Sequence, residues 1–179
     1  MKNSILLFVL VFISFIAVKG QNNIKLEVGM KVTEWKFKDA DGKEFTMDSW
    51  PGKVLQINYV DPDESDLNDT YNDAIDKAID VDKRINRESF KGFGIVDCKS
   101  TWKPNMLIRS IAGNKAKKYD TTILFDYDAT LQTLWGLPSD SYSVIILDKN
   151  RVCRALYPGK IPDAEIENVI KLIIKLSGE

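Results

Sequence analysis

The sequence predicts an α/β domain in which a mixed central sheet is flanked by helices on both faces, with an extra N-terminal β-hairpin. Three observations carry the prediction. Val54–Val60, VLQINYV, is a short apolar run bounded by turn residues, the pattern of a strand buried on both faces. Segments with helical spacing alternate with further extended runs after it, which implies parallel pairing at the centre of the sheet. The last two extended runs, residues 143–147 and 151–157, are separated only by Asp148-Lys149-Asn150, so the sheet ends in an antiparallel pair.

Taken in order, residues 32–37 alternate, Asp41 and Gly42 make a turn pair, and residues 43–47 resume the extended pattern, which is the N-terminal hairpin. Trp50-Pro51-Gly52-Lys53 breaks the chain before the central strand. Residues 58–69, NYVDPDESDLND, then form a loop crowded with carboxylates, and Tyr71, Ala74, Ile75, Ala78, Ile79 and Ile85 recur at helical spacing behind it. Residues 93–98, FGIVDC, are a second strand. Pro104 in a first turn opens a helix whose apolar positions are Met106, Leu107, Ile108, Ile111 and Ala112. Residues 121–125 are extended, Asp126-Tyr127-Asp128 turns, and residues 129–135 make about two helical turns. Beyond the C-terminal hairpin, Pro162-Asp163-Ala164-Glu165 starts a last helix with Ile166, Val169, Ile170, Ile173 and Ile174 on its apolar face.

Residues 1–20, MKNSILLFVLVFISFIAVKG, place an early lysine before an unbroken apolar run that ends in small residues. This predicts a signal peptide, a single domain over residues 21–179, and a periplasmic or secreted protein. The run is shorter than the ~20 residues of a membrane-spanning helix, so no span is expected after cleavage. The chain carries a formal net charge of −1 and becomes more acidic without the leader's two lysines, which excludes the electrostatic footprint of a nucleic-acid binder. The short basic clusters, Lys83 with Arg84 and Arg87, and Lys115 with Lys117 and Lys118, are expected to be solvated helix faces.

The absence of histidine removes Ser-His-Asp and Cys-His nucleophile activation and His-based zinc sites. The two cysteines, Cys98 and Cys153, are too far apart in sequence for a CxxC pair or a Cys-rich metal site. No GxxxxGK[ST], GxGxxG or GxSxG stretch is present to cradle a phosphate or form a nucleophile elbow, and no cofactor is expected.

Several stretches resemble thioredoxin-like proteins exported by bacteria: Pro51-Gly52-Lys53-Val54 before the buried strand, ILFDYDATLQTLWGL at residues 123–137, and VIILDKNRV at residues 144–152. More closely, the chain is similar to the YtfJ family of small periplasmic proteins. That likeness rests on Leu26-Glu27-Val28-Gly29, the Pro51-Gly52-Lys53-Val54 strand start, Leu107-Ile108-Arg109-Ser110, the Leu147-Asp148-Lys149 turn and the terminal helix, in succession. The resemblance implies a thioredoxin-like fold and a periplasmic location, and brings no activity with it.

In such folds a CxxC sits where the first central strand feeds its helix, whose N-terminus favours the thiolate. The resemblance puts Glu64, Ser65, Asp66 and Leu67 at that position here, so the dithiol is absent. The proline that thioredoxins place before the C-terminal hairpin is also missing, with Tyr142 near its position and Pro138 several residues early. The expected function is therefore non-redox binding of an exported protein or small ligand. The surface expected to do it combines Asp61, Asp63, Glu64, Trp102 and Tyr142.

Two alternatives stand beside this reading. Cys98 ends a strand at the same sheet edge as the acidic loop and could serve a single-cysteine oxidoreductase or peroxidase, although the adjacent Asp97 would raise its pKa and the PxxxTxxC pattern of peroxiredoxins is missing. The spacing of Asp61, Asp63 and Ser65 matches the first oxygen donors of an EF-hand loop, which suggests weak Ca²⁺ binding; Asp66 and Asn72, however, stand where glycine and a bidentate glutamate are required. As structural residues, Asp66, Asn68 and Asp69 are expected to cap the following helix. Cys98 and Cys153 should lie on strands separated by two others, beyond the reach of a disulfide.

Overall fold

A computed structural model describes residues 25–178, and the leader assigned to residues 1–20 lies outside them. The apolar run Val54–Val60 becomes β3, an interior strand of the sheet. The turn pair Asp41-Gly42 joins β1 (Lys36–Lys38) to β2 (Glu44–Thr46), with Phe37 directly opposite Phe45. After β3, a 3-10 turn at Pro62–Glu64 leads to α1 (Asp69–Asp76), which continues through a π-helical turn at Lys77–Val81. There follow β4 (Phe90–Asp97), α2 (Asn105–Lys118), β5 (Thr122–Asp126), α3 (Thr130–Trp135), β6 (Tyr142–Leu147), β7 (Cys153–Pro158) and α4 (Asp163–Gly178).

These strands make one seven-stranded sheet in the order β2-β1-β5-β4-β3-β6-β7. β3, β4 and β5 are parallel, while β6 and β7 return antiparallel. The parallel strands are joined through helices, the crossover connection that parallel pairing requires. Their carboxyl ends share one edge, so Asp61, Asp97 and Asp126 all emerge there.

Side chains alternate across the strands and build a core on each face. On one, Leu55, Ile57, Ile95, Leu124 and Ile145 meet Leu131 and Trp135 of α3 together with Trp35 and Met47. On the other, Val54, Val144 and Ile146 meet Tyr71 and Ile75 of α1 and Val169, Ile170 and Ile173 of α4. Burying each such side chain contributes about 1.5–3 kcal/mol, so α1, α3 and α4 are held mainly by these stripes.

α2 differs from the other helices. Only Ile108 and Ala112 are buried, against Val96, Phe125 and Cys98. Met106, Leu107 and Ile111, expected on its core face, point to solvent. The reason is geometric: residues 106, 107, 108, 111 and 112 span more than one side of a helix, and the sheet can cover only one. Gly113 lets α2 approach the hairpin turn closely, since a Cβ there would lie 2.9 Å from that of Ala40. Ile85 also departs from expectation, being buried from the segment beyond the helix and not within it.

Candidate functional site

The acidic loop is ordered by its own carboxylates. Asp61 is buried, and its Oδ1 accepts a hydrogen bond from the Asp63 amide at 2.8 Å, capping the 3-10 turn. Its own amide donates to the Ser141 carbonyl at 2.9 Å, fastening the loop to the approach to β6. Asp63 is exposed and accepts from Thr101 Oγ1 at 2.7 Å and from the Lys103 ammonium. Lys103, with Thr101 adding to it, holds the Asp63 carboxyl below its usual range. The acidic turn is thereby tied to the segment that follows Cys98.

Asp66, Asn68 and Asp69 do not take the capping role expected of them. No side chain caps α1 at Asn68. The Asn68 amide is directed across the molecule, where Nδ2 donates to the Gly159 carbonyl at 3.1 Å and Oδ1 accepts from the Ile161 amide at 2.8 Å. Burial of two otherwise orphaned backbone groups in the β7–α4 loop explains that choice.

The calcium alternative fails on the same geometry. Asp61 caps the turn, Asp63 engages Thr101 and Lys103, and the Ser65 hydroxyl donates to Asp66 Oδ1 at 3.1 Å. These oxygens already have other partners, and among the described residues no group of three or more His, Cys, Asp or Glu side chains is arranged to hold a metal ion.

Beneath the loop, between β3 and α1, runs a chain of polar side chains. The Tyr71 hydroxyl donates to Gln56 Oε1 at 2.7 Å, Gln56 Nε2 donates to Asn58 Oδ1 at 3.1 Å, and Asn72 Nδ2 donates to the Tyr142 hydroxyl at 3.1 Å. Asn58 Nδ2 closes the chain with a weak 3.4 Å contact to Asn72 Oδ1. Tyr142 is therefore not on the binding surface as expected; it is buried, and burial pushes its phenol up to about 12. The polar residues Gln56 and Asn58, alternating within an otherwise apolar strand, were the sequence signal for this network.

At the same sheet edge, on the opposite face, lies a second buried polar group that sequence reasoning missed. Asp97 and Asp126 are register partners on β4 and β5. Asp126 accepts from the amides of Thr130 and Leu131, each at 2.9 Å, and from the Tyr59 hydroxyl at 3.2 Å, so it starts α3 and anchors Tyr59 at once. Burial, reinforced by Asp126, raises the Asp97 carboxyl above its ordinary value despite hydrogen bonds from Lys99 and Tyr59. Burial and both carboxylates drive the Tyr59 phenol far upward, so it stays protonated and donates.

Cys98 sits beside this group and is buried among Val96, Ile108, Ala112 and Phe125. Burial, then Asp97 and Asp126, push its thiol up to about 12. The neighbourhood is the opposite of the electropositive one that makes a thiol reactive. Cys153, buried on β7, is pushed up to about 11 by burial. Both cysteines are free, with β3 and β6 between their strands.

Of the expected surface residues, the structure brings Asp63 and Trp102 together at the exposed rim through the Thr101 and Lys103 contacts, with Glu64 half-buried beside them. Trp102 is 88% exposed, whereas Trp35 and Trp135 are buried and Trp50 is partly so. A shallow hollow of about 420 Å³, lined by Asn105, Met106, Arg109 and Tyr127, adjoins this rim at the start of α2.

A family of bacterial proteins of unknown function, YtfJ_HI0045, matches residues 20–176. The chain belongs to the YtfJ family. No curated protein matches it. Solved structures similar to this YtfJ-family chain include one assigned as the thiol:disulfide interchange protein DsbE from Chlorobium tepidum, at 15% identity and a TM-score of 0.63, covering 86% of this chain and 100% of that one. The thioredoxin domain of a thiol-disulfide oxidoreductase from Bacteroides vulgatus is 11% identical with a TM-score of 0.62, over 84% and 99%. A thiol peroxidase from Chromobacterium violaceum is 11% identical with a TM-score of 0.61, over 86% and 89%. At these identities the likeness shows the fold, which is thioredoxin-like. The 3-10 turn ending at Glu64 and the residues Ser65, Asp66 and Leu67 precede α1 in this YtfJ-family chain.

Proposed function

We propose that this protein is exported and uses a thioredoxin-like scaffold, without thiol chemistry, to bind another exported protein or a small ligand. The observation that carries the reading is the bridge from Asp63 to Thr101 and Lys103, which holds a largely exposed Trp102 beside the acidic turn before α1. An exposed aromatic next to fixed charges is the composition of a binding hot spot. The buried, upward-shifted Cys98 supports the absence of thiol catalysis. Export is supported by the leader at residues 1–20, and among the described residues no helix is long and apolar enough to cross a membrane.

Affinity capture with the mature protein from its own exported fraction tests this reading. A partner retained equally by the wild type and Cys98→Ser, and lost with Trp102→Ala, is the expected result. A partner trapped only when Cys98 is present would replace it with a redox role.

A further inference from the structure

The outer side of α2 is an exposed apolar surface that the binding role at the acidic turn leaves unexplained. Trp102, Met106, Leu107 and Ile111 are 88%, 83%, 47% and 55% exposed. Leu107 and Ile111 are one turn apart, and Asn114 and Lys118 continue the same stripe. Between Asp97 and Asp120 the chain contains no acidic residue, yet it holds Lys99, Lys103, Arg109, Lys115, Lys117 and Lys118, within a protein whose net charge is negative. The hairpin turn meets α2 on its Arg109 and Gly113 side, where Ala40 shares a hollow with Met106, Asn114 and Lys117, so it borders this face and leaves Leu107 and Ile111 on the far side. Tyr119, half exposed with Lys118 above its ring, closes the C-terminal end.

We infer that the outer face of α2, together with Trp102, docks this protein peripherally on an anionic lipid surface. Protruding apolar side chains on a convex helix suit insertion between headgroups, and the surrounding lysines suit their phosphates while their aliphatic stems cover the apolar residues. Tryptophan and tyrosine at the ends of the segment are the aromatic types that settle at a membrane interface. Self-association through this face is opposed, because a two-fold contact would set one lysine-rich segment against its copy. Lys103 is engaged by Asp63 and Arg109 by the Ala40 carbonyl, so the complement of an anionic leaflet is carried by Lys115, Lys117 and Lys118. The α2 face does not depend on the partner reading of the acidic turn, and only Trp102 is common to the two.

The test uses the mature protein with vesicles of phosphatidylcholine alone and of phosphatidylcholine with phosphatidylglycerol in equal parts. Co-sedimentation with the anionic vesicles only, weakened by salt and accompanied by a blue shift of tryptophan emission that Trp102→Phe removes, is expected. Lys115→Glu/Lys117→Glu/Lys118→Glu should weaken that binding by at least ~10-fold. Met106→Ser/Ile111→Ser should weaken it while partner capture through the acidic turn is retained. The changed residues are exposed, so circular dichroism should be unaltered. Absence of binding to anionic vesicles, equal binding to both compositions, or binding indifferent to these variants would overturn the inference and leave the face to an acidic protein or a second copy.

Discussion

Tyr59 on β3 donates its hydroxyl to Asp126 on β5 at 3.2 Å, reaching over β4 between them. The contact joins the C-terminal ends of the parallel strands to α3, because the same carboxylate receives the first amides of that helix. Removing the phenol oxygen with Tyr59→Phe should lower the unfolding free energy by about 1.5–3 kcal/mol, the usual value of a hydrogen bond to a carboxylate. Asp126→Ala, which also strips α3 of its amide acceptor, should cost ~3 kcal/mol or more. Urea unfolding midpoints with an unchanged slope would measure both.

Asp97 makes stability depend on pH in an unusual direction for a carboxylate. Its folded pKa is raised, so the native state holds the proton more tightly than the unfolded chain. The contribution is complete below the ordinary carboxyl value, near ~4, and is lost as pH rises through the folded value. Asp97→Asn, which keeps an acceptor for the Lys99 amide but carries no charge, should therefore exceed the wild type in stability at neutral pH and converge with it in acid. Asp148 has the opposite sign. Against the upward pull of burial, the Val152 amide, Arg154 and the Asn150 amide hold its carboxyl below the ordinary value, so its contribution is present above that value and lost as pH falls. Thermal melts of wild type, Asp97→Asn and Asp148→Asn between acid and neutral pH separate the two.

Both thiols should be slow. With Cys98 pushed up to about 12 and buried, iodoacetamide should modify the native protein at neutral pH far more slowly than the urea-unfolded chain, and Cys153 should follow the same pattern. Mass spectrometry of time points locates the adducts. Rapid labelling of native Cys98 would mean that the thiol is activated.

Asn68 links α1 to the loop before α4 through both ends of its amide. Asn68→Ala leaves the Gly159 carbonyl and the Ile161 amide without that partner and should cost about 2–3 kcal/mol. Hydrogen exchange should show the Ile161 amide losing protection first.

Local pattern was enough to read most strands and helices of this chain, although the first strand, expected over residues 32–37, is confined to Lys36–Lys38. VLQINYV became β3 without a residue's difference, and the Asp41-Gly42 and Asp148-Lys149-Asn150 turns became the turns of the two hairpins. The limits of pattern appear at α2, where Met106, Leu107 and Ile111 have the apolarity of core residues and face solvent. Periodicity tells which residues share a side, but the neighbour that covers that side is set by tertiary structure. The acidic loop was legible as the segment between β3 and α1, and its contacts were not. Asp61 and Tyr142 were expected at the surface and are buried, because their roles depend on contacts with Ser141 and Asn72 that are remote in sequence. Tyr59, Asp97 and Asp126 gave no local sign of meeting, since only the strand order β5-β4-β3 brings them together.

The proposed binding role requires that this thioredoxin-like fold do no thiol chemistry. Insulin disulfide reduction and peroxide consumption by the purified mature protein, run beside Cys98→Ser, test it most directly. Background rates indistinguishable between the two proteins are the predicted result. Turnover at enzyme-like rates that Cys98→Ser abolishes would contradict the account.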